Sequence, residues 1–212
     1  MKIAFIGIGN VGAPLADSLQ KLGHEVIIAA RDLGSKSVVA ALDRNPQFLV
    51  KSPIEAVRSA DTIFLVTAFS DAASALTPLA AELTGKILVD CTNPVGANLT
   101  HGLDSKISAG ETIQQLIPQA LVVKAFTICG YENFEDNSYP GYGDLKPAML
   151  IAGNDRTAKD RVADLCRQLG WEPVDTGNIN MSLHLEHMAL LWISMARVNG
   201  RGTNFVWAML QR

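Results

Sequence analysis

In the first half of the chain, short apolar runs alternate with longer stretches whose apolar positions recur at helical spacing. Lys2 to Ile6, Glu25 to Ala30, Phe48 to Val50, Thr62 to Val66 and Lys86 to Asp90 read as strands. Between them, helices are expected over Val11 to Leu22 (closed by Gly23), Ser35 to Leu42, Pro53 to Arg58 and Ala72 to Glu82. Strands apolar on both faces and separated by helices predict a parallel sheet covered on both sides, a doubly wound α/β architecture. The alternation continues with strands at Leu121 to Phe126 and Ala148 to Ala152. A helix then starts from Asp155 or Thr157 and ends at Leu169, with Gly170 in the position that closes it. Glu172 to Asp175 is a short strand, and Pro173 assigns it to a sheet edge.

Two stretches break this rhythm. Asn133 to Lys146 is rich in Gly, Pro, Tyr and Asn and reads as a boundary or binding loop. Ser182 to Ala196 is a helix apolar almost all round, which must be buried inside the fold or against a second subunit. In a chain of 212 residues little protein remains to cover it, so a homodimer contact is expected. Phe205 to Leu210 adds one last apolar turn.

Composition narrows the function classes. Hydrophobic residues make up 48% and charged residues 18%, which describes a packed globular chain. The net charge of −3 argues against a nucleic-acid surface. Cys91, Cys129 and Cys166 are odd in number and widely spaced, which excludes a disulfide framework or zinc knuckle and suits a reducing cytoplasm. Gly7, Gly9 and Gly12 interrupt the apolar N-terminal run, so it is not read as a signal peptide, and no stretch is long enough to predict a membrane helix. His184 and His187 lie three apart without a third ligand nearby, so no metal is expected.

Gly7-Ile8-Gly9-Asn10-Val11-Gly12 fits G-x-G-x-x-G between a strand and a helix. Gly7 permits the tight turn, Gly9 lets backbone approach a pyrophosphate, and Gly12 allows close packing of helix on sheet. The free N–H groups of the helix start then face the phosphates. The end of the second strand chooses the cofactor. Ala30 stands where NAD-binding folds place an acid, and Arg31 follows with a guanidinium suited to a 2′-phosphate, with Ser35 and Lys36 completing the pocket. The reading is NADP(H); Asp32 would favour NAD if the strand ended one or two residues later. Thr67-Ala68-Phe69 and Asn93-Pro94 follow later strands, on the rim where open α/β sheets bind ligands, and Asn93 is a candidate partner of the nicotinamide amide or ribose. Lys124, at a strand end, is a weak candidate proton donor for a carbonyl acceptor.

The glycine motif, Ala30-Arg31, and Val122-Val123-Lys124-Ala125-Phe126-Thr127 resemble the coenzyme F420-dependent NADP oxidoreductase family. So do the runs Leu169 to Gly177 and Leu185 to Ile193, and the resemblance spans nearly the whole chain. It implies an NADP-binding Rossmann domain (residues 1–130) and a small C-terminal domain (131–212) that carries the acceptor cleft and dimer contact. It also implies hydride transfer between NADPH and a flavin-like acceptor such as F420. The family typically carries Asn where this chain has Thr127, and Ile128 to Gly130 and Tyr139 to Asp144 also depart from it, all where the acceptor should sit. An imine, carbonyl or ferric acceptor, or a redox sensor that binds NADP(H) without turnover, are the alternative readings.

Overall fold

A computed structural model describes all residues, Met1–Arg212. In chain order the elements are β1 (Lys2–Ile6), α1 (Gly12–Lys21), β2 (Glu25–Ala29), α2 (Lys36–Arg44), β3 (Leu49–Lys51), α3 (Pro53–Ser59), β4 (Thr62–Leu65) and α4 (Phe69–Leu76). They continue as β5 (Ile87–Asp90), α5 (Ala109–Leu116), β6 (Leu121–Lys124), α6 (Glu132–Glu135), β7 (Ala148–Gly153), α7 (Arg156–Gln168), β8 (Glu172–Asp175) and α8 (Ser182–Ile193). The eight strands form one sheet in the order β3-β2-β1-β4-β5-β6-β7-β8. The order reverses between β1 and β4, the switch point at which doubly wound sheets bind ligands.

Alternation along β1 builds two cores. Ile3 and Phe5 join a cluster of 29 buried residues that includes Leu15 and Leu19 of α1, Val38 of α2, and Val162 and Leu165 of α7. Ala4 and Ile6 point the other way, into a cluster of 18 with Val57 of α3, Leu76 of α4 and Ile113 of α5. Both faces of the sheet are therefore covered, which is why β4 is buried at all four positions.

The sheet is not parallel throughout. β7 runs antiparallel to β6, with Lys124 opposite Ala152, and β8 runs parallel to β7. Ala148 to Ile151 thus overhang the carboxyl end of β6, and sheet and core continue across residue 130. Pro173 lies on β8, which is a sheet edge as expected. Asp155 caps α7 by accepting the Ala158 N–H at 2.7 Å, and Gly170 closes that helix at φ +85°.

Three expected elements differ in extent. The helix foreseen from Ala72 to Glu82 is α4 followed by a 3₁₀ turn at Thr77–Leu79, because Pro78 has no N–H to continue the α ladder. The strand foreseen to Phe126 ends at Lys124, since Phe126 turns to φ +58°. Phe205 to Leu210 forms no helical turn. Its backbone bonds are taken up across the fold: the Trp207 carbonyl accepts from the Ala148 N–H at 2.7 Å, and the Phe205 carbonyl from the Trp192 indole at 2.9 Å. The late helix α8 buries Leu185, Glu186, Ala189 and Trp192 within the chain, and widens into a π turn at Ser194–Val198. Its other face leaves Leu191 51% and Val198 68% exposed. No helix is long and apolar enough to cross a membrane.

Candidate functional site

The turn between β1 and α1 is held by its glycines. Gly7 sits at φ +95°, and a Cβ there would lie 2.7 Å from the Val66 carbonyl oxygen. A Cβ on Gly12 would lie 2.8 Å from the Gly7 carbonyl oxygen, so the helix packs against its own turn. At Gly9 nothing lies within 4 Å, which leaves the backbone open to a ligand. The N–H groups of Gly9, Asn10, Val11 and Gly12 donate to no protein group, and α1 has neither a side-chain cap nor an acid in its first turn. Four N–H groups at and just before a helix start, with no protein acceptor, are free to meet an anion.

Clefts open on both sides of this turn. One, of about 350 Å³, is lined by Gly7, Arg31, Ser52, Thr67 and neighbours from α4. The other is lined by Gly9, Asn10, Lys36, Arg44, Tyr131 and Glu135. Arg31 is exposed and makes no ion pair. Ser35 precedes α2 as its N-cap residue but does not spend its hydroxyl on capping, and that helix too has no acid in its first turn. Lys36 is the first residue of α2. Arg31 and Lys36 line the two different clefts, and neither is engaged in an ion pair. β2 ends at Ala29, three residues before Asp32, and the Asp32 carboxylate folds onto the Gly34 N–H at 2.9 Å. It is engaged in its own turn rather than standing at the strand end where an NAD-type acid belongs.

On the carboxyl rim, Thr67, Ala68 and Phe69 lead from β4 into α4, with Phe69 half-buried. Asn93 follows β5, donates its amide N–H to the Thr127 carbonyl at 3.1 Å, and leaves its Oδ1 buried and unpartnered. Pro94 is buried, and its carbonyl accepts the Gly102 N–H. The Thr67 and Thr127 hydroxyls are likewise buried without a partner. The residues present therefore fit a dinucleotide along this edge: donors without acceptors beneath the phosphates, and polar atoms without partners beyond them.

Lys124, the candidate proton donor, is not open to an acceptor in this structure. It is fully buried, with its ammonium 2.9 Å from both Asp90 Oδ2 and Glu186 Oε1 and donating also to the Thr92 carbonyl. Burial alone would lower its pKa, but the Asp90 and Glu186 carboxylates outweigh it and hold the pKa above the ordinary value. All three ammonium protons point at protein oxygens, and none is free for an acceptor.

The same network contains residues that sequence reasoning missed. Glu186 accepts from His101 Nε2 at 2.8 Å and from the N–H groups of Ala109 and Gly110 at the start of α5. Asp90 accepts both the N–H and the hydroxyl of Thr92. Buried charge thus ties α8 to the turn that carries Asn93. A signal for it was present: an acid in a nearly apolar helix is buried only if paired. His187 stacks on His101 with ring centres 5.2 Å apart and bonds the Ser105 hydroxyl, while His184 is exposed.

Comparison with known proteins places this geometry. The family model for coenzyme F420-dependent NADP oxidoreductases matches residues 2–94. The F420-dependent NADP reductase of Methanocaldococcus jannaschii is 28% identical, the alignment covering 96% of each chain. Metalloreductase STEAP3 of Rattus norvegicus is 30% identical over 189 residues, which cover 89% of this chain but only 36% of that longer protein. An imine reductase from Streptomyces aurantiacus, at 15% identity and TM-score 0.65 over 92% of this chain and 63% of its own, shares the fold. A crystal structure from Arthrobacter sp. FB24, a candidate F420-dependent NADP reductase, is 31% identical and superposes over 100% of both chains with TM-score 0.88. With that agreement from end to end, the chain belongs to the coenzyme F420-dependent NADP oxidoreductase family.

Proposed function

We propose that this protein transfers a hydride between NADPH and a flavin-like acceptor, coenzyme F420 or a flavin, stacked on the nicotinamide at the carboxyl edge of the sheet. The observation that carries the proposal is the sealed Lys124. A carbonyl or imine acceptor needs a proton delivered at its heteroatom, and the lysine at that rim is locked between Asp90 and Glu186. Transfer between two stacked rings chiefly needs orientation and exclusion of water, which backbone donors and a packed rim supply. Bound NADPH would supply the hydride. The N–H groups of Gly9 to Gly12 hold its diphosphate, and Arg31, Ser35 and Lys36 hold its 2′-phosphate. The rim around Thr67, Asn93 and Thr127 receives the nicotinamide end. A ferric acceptor is the second reading, favoured by the metalloreductase relatives, of which this chain spans about a third.

Anaerobic mixing with NADPH and F420, FMN, a ferric chelate or an imine, followed at the NADPH absorbance band, tests the choice. Oxidation with F420 or FMN is expected. Oxidation by the imine alone defeats the proposal, and tight NADPH binding without turnover with any acceptor marks a redox sensor.

Two further outcomes follow. Arg31→Ala weakens NADPH binding by about 1.5–3 kcal/mol, the value of a charged hydrogen bond, and leaves NADH nearly unchanged; equal losses for both nucleotides would remove Arg31 from the 2′-phosphate. We also propose a homodimer in the cytoplasm, its contact formed by the face of α8 that presents Leu191 and continues to Val198. Sedimentation at micromolar concentration should give a dimer, and a clean monomer would refute it.

A further inference from the structure

Six buried side-chain polar atoms in the molecule have no hydrogen-bond partner. Three of them, Thr67 Oγ1, Asn93 Oδ1 and Thr127 Oγ1, follow the carboxyl ends of β4, β5 and β6, which are neighbours in the sheet. Adjacent strands lie about 4.8 Å apart, so the three strand ends span roughly 10 Å of one rim. A buried donor or acceptor left alone costs about 1–3 kcal/mol, and three together on a ligand-binding edge point to a ligand that completes them.

The chain also accepts strain here. Phe126 is a bulky residue at φ +58°, a conformation that disfavours any side chain by about 1–2 kcal/mol. It is held there by its N–H on the Met149 sulfur at 3.2 Å and by its ring, 2% exposed, against Phe64 and Phe134. That conformation sets the course of Thr127, whose carbonyl accepts the Asn93 amide at 3.1 Å. A carbonyl only accepts, so the amide nitrogen of Asn93 must face it and Oδ1 remains as an acceptor. The Thr127 hydroxyl can donate. An acceptor beside a donor matches a primary carboxamide, which presents an N–H and a C=O together.

We infer that Asn93 Oδ1 and Thr127 Oγ1 jointly bind the carboxamide of the nicotinamide, Asn93 accepting its N–H and Thr127 donating to its carbonyl oxygen. The pair thereby fixes which ring face meets the acceptor. The inference rests on the NADP(H) reading and adds Thr127, the position at which this chain departs from the residue typical of its family, as a cofactor-orienting residue.

Thr127→Val keeps the side-chain shape and removes only the hydroxyl. Because that hydroxyl has no partner in the free protein, the melting temperature of the free variant holds or rises. Its affinity for NADP⁺ by calorimetry nevertheless falls about fivefold to tenfold. The thionicotinamide analogue of NADP⁺, whose sulfur accepts hydrogen bonds poorly, binds wild type and variant alike, and Thr127→Ser restores NADP⁺ affinity. A purely structural threonine would move stability and binding together. A lower melting temperature for Thr127→Val, or an unchanged ratio of the two affinities, overturns the inference while leaving the nucleotide reading intact. Failure of the wild type to bind NADP⁺ overturns both.

Discussion

Gly7→Ala abolishes measurable NADPH binding and costs the fold about 3 kcal/mol or more. The backbone at this residue lies at φ +95°, a region that L side chains rarely adopt, and the added methyl would meet the Val66 carbonyl carbon and oxygen at 2.8 and 2.7 Å. Strain of that kind costs on the order of 1–3 kcal/mol, and a clash with main chain cannot be relieved by a rotamer change. The turn must therefore move, carrying with it the free N–H groups of Gly9 to Gly12. A displacement of 1 Å in a binding constellation costs roughly 100-fold. Gly9→Ala is the control, because nothing lies within 4 Å of its new methyl. It should leave stability unchanged and weaken only the nucleotide. Urea unfolding and calorimetry with NADPH check both variants; a Gly7→Ala protein of wild-type stability would show that the turn is not built as described.

Lys124→Met has the largest effect on stability away from the nucleotide. It removes the single cation between two fully buried carboxylates, Asp90 and Glu186. Breaking a buried ion pair from one side costs about 3–5 kcal/mol, most of it the burden of the charge left behind. In the wild type the pKa of Lys124 is raised on folding. Its contribution is therefore fully present below the unfolded-state value of about 10.4 and is lost as pH rises through the higher folded value. The stability gap between wild type and Lys124→Met should accordingly narrow only in strong alkali. A loss below about 1 kcal/mol by urea unfolding at neutral pH would contradict the buried network.

Much of this was legible in the sequence because it is local. The β1–α1–β2 unit, the capping of α7 by Asp155, its closure by Gly170 and the edge position of Pro173 each follow from a few adjacent residues. The glycine turn and the carboxyl-edge position of Asn93 were readable for the same reason. The α5 helix was overlooked although its capping box, Ser108 with Glu111, is a sequence signal. The reversal of β7 was not readable: antiparallel and parallel neighbours look alike when both faces are buried. Nor was the network around Lys124, since Glu186 and His101 lie 85 residues apart and meet only after the sheet has formed. Lys124 taken alone looked like a strand-end proton donor; only its distances to Asp90 and Glu186 revealed a buried, paired cation. Thr127 was visible only as a departure from the family pattern. Its meaning depends on the unusual backbone of Phe126 and on a hydroxyl with no partner.

The central claim is that the N–H groups of Gly9 to Gly12 grip a diphosphate while Arg31, Ser35 and Lys36 select the 2′-phosphate. Calorimetric titration of the wild-type protein with NADPH and with NADH tests it most directly. The account predicts saturable heat with NADPH and at least about tenfold weaker binding of NADH, one lost charged contact being worth about 1.5–3 kcal/mol. Equal affinity for the two nucleotides, or no heat with either, would contradict it.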